Sequence, residues 1–169
     1  IFFEPDTGDS DERSNSILNG EPVCSVNTAD FVINDGEKYK IAARRYIQEH
    51  PQGTAHTNIG EIDIDKPSLD HSFEHISYAS KVHAIPAIKP VLENGTYLGV
   101  LRDFEGKKMN NHYFAAPITI DGEKDILFVR VREAAGNKPK FYIHEVFTLD
   151  EIKQAVPYSG ELNRSEEHT

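Results

Sequence analysis

From Tyr97 to Phe147 the chain alternates apolar and polar residues in four successive runs, each closed by a turn-forming cluster. Side chains of a β-strand point to opposite faces in turn, so this period of two marks half-buried strands. Tyr97 to Asp103 is the first and His112 to Ile120 the second. Asp121-Gly122, a strong hairpin signal, joins the second to the third, Asp125 to Glu133. Asn137-Lys138-Pro139 turns into the fourth, Lys140 to Phe147. The charged stretch Phe104 to Asn111 reads as a loop. Four consecutive strands joined by short turns predict an antiparallel meander sheet.

The residues before it change period. Tyr39, Ala42, Ala43, Tyr46 and Ile47 form one apolar stripe, which predicts a helix from Glu37 to Glu49, entered through Asp35-Gly36 and stopped by Pro51. Thr54 to Asp65 reads as a small hairpin, and Pro67 suits the start of a short helix over Ser68 to His75. A helical region from Tyr78 to Leu92 follows, which Pro86 and Pro90 must break or kink. A weak strand is expected at Val23 to Val26 or at Phe31 to Ile33. Helices first and strands afterwards predict an α+β fold, with the N-terminal helices and the hairpin packed on a four-stranded antiparallel meander.

The 169 residues suit one domain, and 38% hydrophobic residues suffice for one core. We expect an acidic linker over 1–22, one α+β domain over 23–157 and a flexible polar tail over 158–169. No window approaches the ~18 apolar residues of a membrane span. The chain begins with Ile1 and reads as an excised piece of a longer polypeptide. The single cysteine, Cys24, excludes an internal disulfide framework and a cysteine-rich zinc site. The net charge of −10 argues against nucleic acid, but eight acids against Arg13 lie within residues 1–36. With the acidic tail also set aside, the body is almost neutral. An acidic flank is usually a solvated linker, and less often the shield of a basic site.

Three constellations could carry chemistry. In the fourth strand, simple alternation sets Phe141, Ile143, Glu145 and Phe147 against Tyr142, His144 and Val146, and puts a phenol and an imidazole ~7 Å apart on one face. An imidazole titrates near neutrality and can act as general acid or base. Spacing alone favours a half-buried histidine bonded across the sheet. The third strand puts Arg130 and Arg132 on one face, where two guanidinium forks suit phosphate, although pairing with cross-strand acids is commoner. Lys107 and Lys108 are solvated loop lysines that could touch a nucleic-acid backbone. His71-Ser72-Phe73-Glu74-His75 spells H-x-x-E-H, which could hold zinc through His71 and His75 with Glu74 as base. A chain with 8 histidines matches such a pattern readily by chance.

A wider set of landmarks carries a resemblance. It runs from the lysine-rich helix through Gly53-Thr54, Gly60-Glu61-Ile62 and His71-Ser72-Phe73-Glu74-His75 to Lys81, Ala84-Ile85-Pro86, Ala116-Pro117-Ile118 and Phe141-Tyr142-Ile143-His144-Glu145-Val146. Over roughly residues 35 to 150 this resembles the nuclease-like domains at the C-terminal ends of phage and prophage polyproteins and of MuF-type toxins. These belong to the barnase, EndoU, colicin E5/D and RelE-like superfamily, with relatives described as large polyvalent protein-associated domains. The resemblance implies a metal-independent endoribonuclease without a cofactor, acting on RNA, tRNA included, across the exposed sheet face. It implies His75, Lys81, Tyr142 and His144 as the catalytic set, with Lys81 or Arg130 for the phosphate charge; Arg130, Arg132, Lys107, Lys108 and His112 are the expected substrate contacts. It also implies an immunity or antitoxin partner, no membrane partner, and a bacterial cytoplasmic site of action reached from a larger phage or secreted protein. Two other readings stay open: a non-catalytic protein- or nucleic-acid-binding module of a phage polyprotein, and a zinc hydrolase through His71, Glu74 and His75.

Overall fold

A computed structural model describes residues 10–65, 79–102, 109–134 and 140–149. Among the described residues seven strands form one sheet: β1 (Ser25–Val26), β2 (Thr54–Thr57), β3 (Gly60–Asp63), β4 (Thr96–Arg102), β5 (Met109–Ile120), β6 (Glu123–Ala134) and β7 (Lys140–Thr148). The helices are α1 (Ser10–Asn19), α2 (Tyr39–Glu49), α3 (Ala79–His83) and α4 (Ile88–Asn94).

This corrects the expected fold class. The sheet is not a four-stranded antiparallel meander but a mixed sheet of seven strands among the described residues, ordered β1-β5-β6-β7-β3-β2 with β4 also on β5. The antiparallel run β4-β5-β6-β7 is its middle. Both additions have a physical cause. β5 has twelve residues and β4 only seven, so the far end of β5 keeps free backbone groups on that edge. β1 takes them in parallel, with Thr119 N–H donating to Cys24 O at 3.0 Å and Asp121 N–H to Val26 O at 2.8 Å. The outer edge of β7 likewise pairs in parallel with β3, Asp63 opposite Tyr142. The β2-β3 hairpin is therefore part of the sheet and not an element packed on it. Unpaired strand edges favour such additions, because each bare N–H and C=O needs a partner.

Helices α3 and α4 come between the hairpin and β4, within the helical region expected over Tyr78 to Leu92. The two prolines act locally. Pro86 lies in a single 3-10 turn over Ile85–Ala87, and Pro90 falls in the first turn of α4, where a missing N–H costs little. The one main core lies between the sheet and α2, α3 and α4. Ala42, Ala43, Val82, Ile85, Ile88 and Val91 meet Phe114, Ala116, Ile118, Leu127, Val129, Val131, Ile143 and Val146 there. The Asp121-Gly122 turn has φ 53° and 79°, the left-handed pair that its sequence is suited to adopt.

The other face is divided. Helix α1, within the segment expected to be linker, covers part of it. Its Ile17 is buried against Ala115 and Ile126, with Leu98, Phe128 and Leu149 around them. The short helix expected over Ser68 to His75 and the tail over 158–169 lie outside the described residues.

Candidate functional site on the second sheet face

The β5-β6-β7 register fixes which side chains share a row on this face. Asn111, Arg132 and Tyr142 form one row, and Tyr113, Arg130 and Glu145 the next. Ala115, Phe128 and Phe147 form the third, in which the two phenyl rings stack at 5.1 Å. The first two rows are polar and the third begins the apolar half under α1. Helix α1 packs on the apolar half of this face.

Simple alternation along β7 does not produce these rows. Arg130 pairs with Glu145 but its neighbour Val131 pairs with Ile143, so His144 is the extra residue of a β-bulge. Past the bulge the phase reverses. Val146 is fully buried in the core, and Glu145 joins the face of Tyr142. The division of strand four by simple alternation is thus corrected from Glu145 onward. Bulges re-aim side chains and recur beside active sites. The backbone of His144 is described; its side chain lies outside the described positions.

Glu145 is the residue that sequence reasoning missed. It forms an ion pair with Arg130, with side chains 27% exposed for the arginine and 40% for the acid. Arg130 Nε has no acceptor among the described residues although it is buried. Arg132 Nε donates to Asn111 Oδ1 at 3.2 Å. No feature of β7 read by itself signals Glu145, because its face depends on the bulge.

Two expected site residues lie elsewhere. His112 is on the helix side, 7% exposed, with both ring nitrogens engaged. Nδ1 is 2.8 Å from the Tyr97 hydroxyl, and Nε2 is 2.8 Å from Glu133 Oε1. Phe141 meets its ring edge-on at 5.8 Å. This is a phenol, imidazole and carboxylate chain across β4, β5 and β6, packed beside the core. Lys81 is also buried, on α3 in the helical layer. The structure therefore brings Arg130, Arg132 and Tyr142 together with the bulge at His144, whereas His112 faces from β5 toward the helical layer that holds Lys81. His71, Glu74, His75, Lys107 and Lys108 lie outside the described residues. Among the described residues no three His, Cys, Asp or Glu side chains are grouped to hold a metal ion.

One more histidine is close to neighbours that tune it. His83 sits edge-on to Phe31 at 5.5 Å and lines a shallow cavity of about 470 Å³ with Thr28, Asn34, Asp35 and Tyr39. Burial pushes its pKa below the ordinary value, against the opposing pull of the Phe31 backbone and of Asp121.

The model of the family described as large polyvalent protein-associated domain 3 matches residues 34–142, more than half of the chain. The chain belongs to that family. No curated protein and no solved structure matches the chain. The polyvalent-protein match starts after α1 and β1 and ends at Tyr142, so it covers both polar rows except Glu145. It supports the polyvalent-protein part of the resemblance and does not extend to a nuclease or toxin superfamily. A domain of this family suggests part of a larger protein. No helix among the described residues is long and apolar enough to cross a membrane.

Proposed function

We propose that this domain is an RNA-handling module of a larger polyvalent protein and that it cleaves RNA on the polar half of the second sheet face. The observation that carries the reading is the pairing of two adjacent rows, Asn111-Arg132-Tyr142 and Tyr113-Arg130-Glu145, with a β-bulge at His144 beside them. Arg130 and Arg132 are two residues apart on one strand face, so their guanidinium groups are ~7 Å apart at the backbone. That spacing suits neighbouring phosphates of one strand, and each fork offers parallel donors to phosphate oxygens.

The chemistry in this reading is attack of a ribose 2′-hydroxyl on the adjacent phosphorus. A base takes the hydroxyl proton, an acid returns one to the departing 5′-oxygen, and a 2′,3′-cyclic phosphate remains. His144 acts as the acid, with His75 or Glu145 as the base. Arg130 and Arg132 hold the charge that grows on the phosphate, and Tyr142 positions the nucleotide. For Arg130 to serve, it must exchange Glu145 for the phosphate, which frees the carboxylate to accept a proton. Lys81 and His112, buried on the helix side of the sheet, support the fold around the site in this scheme.

Purified domain incubated with total tRNA in EDTA should cleave it. His144→Ala should lower the rate ~100-fold or more, the contribution of one positioned acid or base. Intact tRNA with the unaltered domain would sink the nuclease reading. A second reading has its own support: Glu145 already neutralises Arg130. A non-catalytic docking module would then bind its partner on this face and leave RNA whole.

A further inference from the structure

We propose that the cavity beside His83 receives an arginine side chain of a partner polypeptide. Phe31 and Tyr39, which line it, pack in the main core on the helix side of the sheet. The cavity is therefore separate from the arginine rows of the second face and does not depend on the RNA reading.

One wall of the cavity, Thr28 to Glu37, is fixed at both ends. Thr28 donates to the Asp121 carboxylate through its N–H at 2.9 Å and through its hydroxyl at 2.6 Å. At the other end Asn34 N–H donates to Glu37 Oε1 at 3.1 Å, and Glu37 N–H donates to Asn34 O at 2.9 Å. Arg45 then ties this end to the helix. Its Nε and Nη2 donate to Glu37 at 3.1 and 2.9 Å, and Nη2 also donates to Val32 O at 2.7 Å. Midway, the Phe31 ring stacks on Tyr46 at 3.9 Å and meets His83 edge-on. A wall already held in place favours binding, because little has to be ordered when a ligand arrives.

The groups left over fit a guanidinium. The Asn34 side chain, the Asp35 carboxylate and the Tyr39 hydroxyl line the cavity and have no hydrogen-bond partner among the described residues. The lining includes no lysine or arginine, and Asp121 stands behind Thr28. Glu37 is already matched by Arg45, so Asp35 and Asp121 supply the unmatched negative charge. Burial favours the neutral form of His83, and a neutral imidazole offers one nitrogen as an acceptor. Acceptors and negative charge thus surround two planar rings, Tyr39 and His83. Arginine brings five N–H donors on a flat, weakly hydrated cation that stacks on such rings. A lysine ammonium is more strongly hydrated and has no plane to stack. Val32, 58% exposed, adds an apolar lip for the alkyl stem. The volume of about 470 Å³ falls within the ~300–1,000 Å³ of small-ligand clefts. The same charges disfavour a phosphate-bearing ligand.

The test titrates Nα-acetyl-arginine amide into the full chain and follows the His83 and Tyr39 ring signals by NMR. Nα-acetyl-citrulline amide, of the same shape without the charge, and Nα-acetyl-lysine amide serve as comparisons. The arginine amide should move both rings saturably, with a dissociation constant on the order of millimolar for so small a ligand. The citrulline and lysine amides should each bind roughly fivefold more weakly or worse. Asp35 is exposed and takes no part in the bonds that hold the wall, so Asp35→Asn should leave the fold intact. That variant should bind the arginine amide roughly threefold more weakly at low salt, the difference shrinking as salt screens the charge. Ring signals that stay still, or that respond equally to the citrulline amide, overturn the proposal. Equal affinity for the lysine amide, or an unchanged affinity in Asp35→Asn, overturns it as well.

Discussion

At the scale of single residues, His112 shows how a histidine can be fixed so firmly that its role becomes structural. Both ring nitrogens are bonded, and Glu133 and Tyr97 depend on the ring as much as it depends on them. Removing it takes one bond from each of two partly buried polar partners, and such a loss typically costs 1–3 kcal/mol. His112→Ala should lower unfolding free energy by about 2 kcal/mol in urea titration. Glu133→Gln combined with it should add less than its separate effect, because the two share one network. Full additivity would mean that the chain does not act as a unit. Histidine in the strand pattern could be seen from sequence. The partners on β4 and β6 could not, since they are fifteen and twenty-one positions away.

At the scale of elements, the decisive feature is the bulge in β7. It turns Val146 inward to contact the core and Glu145 outward to Arg130. Strict alternation would have left Val146 beside Tyr142, where an acid would be harmless. Val146→Asp should instead destabilise by roughly 3 kcal/mol or more, as a buried unpaired charge does. Deleting His144 should be milder. Without the extra residue, Ile143 and Val146 still face the core, and Glu145 and Phe147 still face away. Urea midpoints of the two variants would decide. A tolerated Val146→Asp, or a deletion more damaging than it, would refute this assignment of faces. The same logic explains the enlarged sheet. Strands β4 to β7 could be read from period and turns, but two-residue β1 and the parallel β3-β7 contact depend on which edges the folded chain leaves bare.

At the scale of the whole molecule, acid should act in two stages. Burial holds the folded His83 pKa below its unfolded value of about 6.5, so the unfolded chain binds the proton first. Stability should therefore begin to fall as pH drops below about 6.5 and level once the folded imidazole also titrates. The carboxylates come later. The Arg45 guanidinium lowers Glu37, and the Thr28 hydroxyl lowers Asp121, so their stabilising contacts are present above the usual carboxylate range and lost below it. His83→Gln should remove the first stage and leave the second. An unchanged pH profile from 7 to 5 would assign that stage elsewhere.

The sequence by itself determined the strand and helix periods, the Asp121-Gly122 hairpin, the break at Pro86, and the shared face of Arg130 and Arg132. These depend on neighbours a few residues apart, where side-chain period and backbone chemistry act directly. Only the tertiary structure decided the mixed seven-stranded sheet, the burial of His112 and Lys81 on its helix side, and the arrival of Glu145 next to Arg130. Strand edges, layers and bulges are settled by the packing of distant segments. One unpaired residue in β7 is enough to exchange the two faces beyond it.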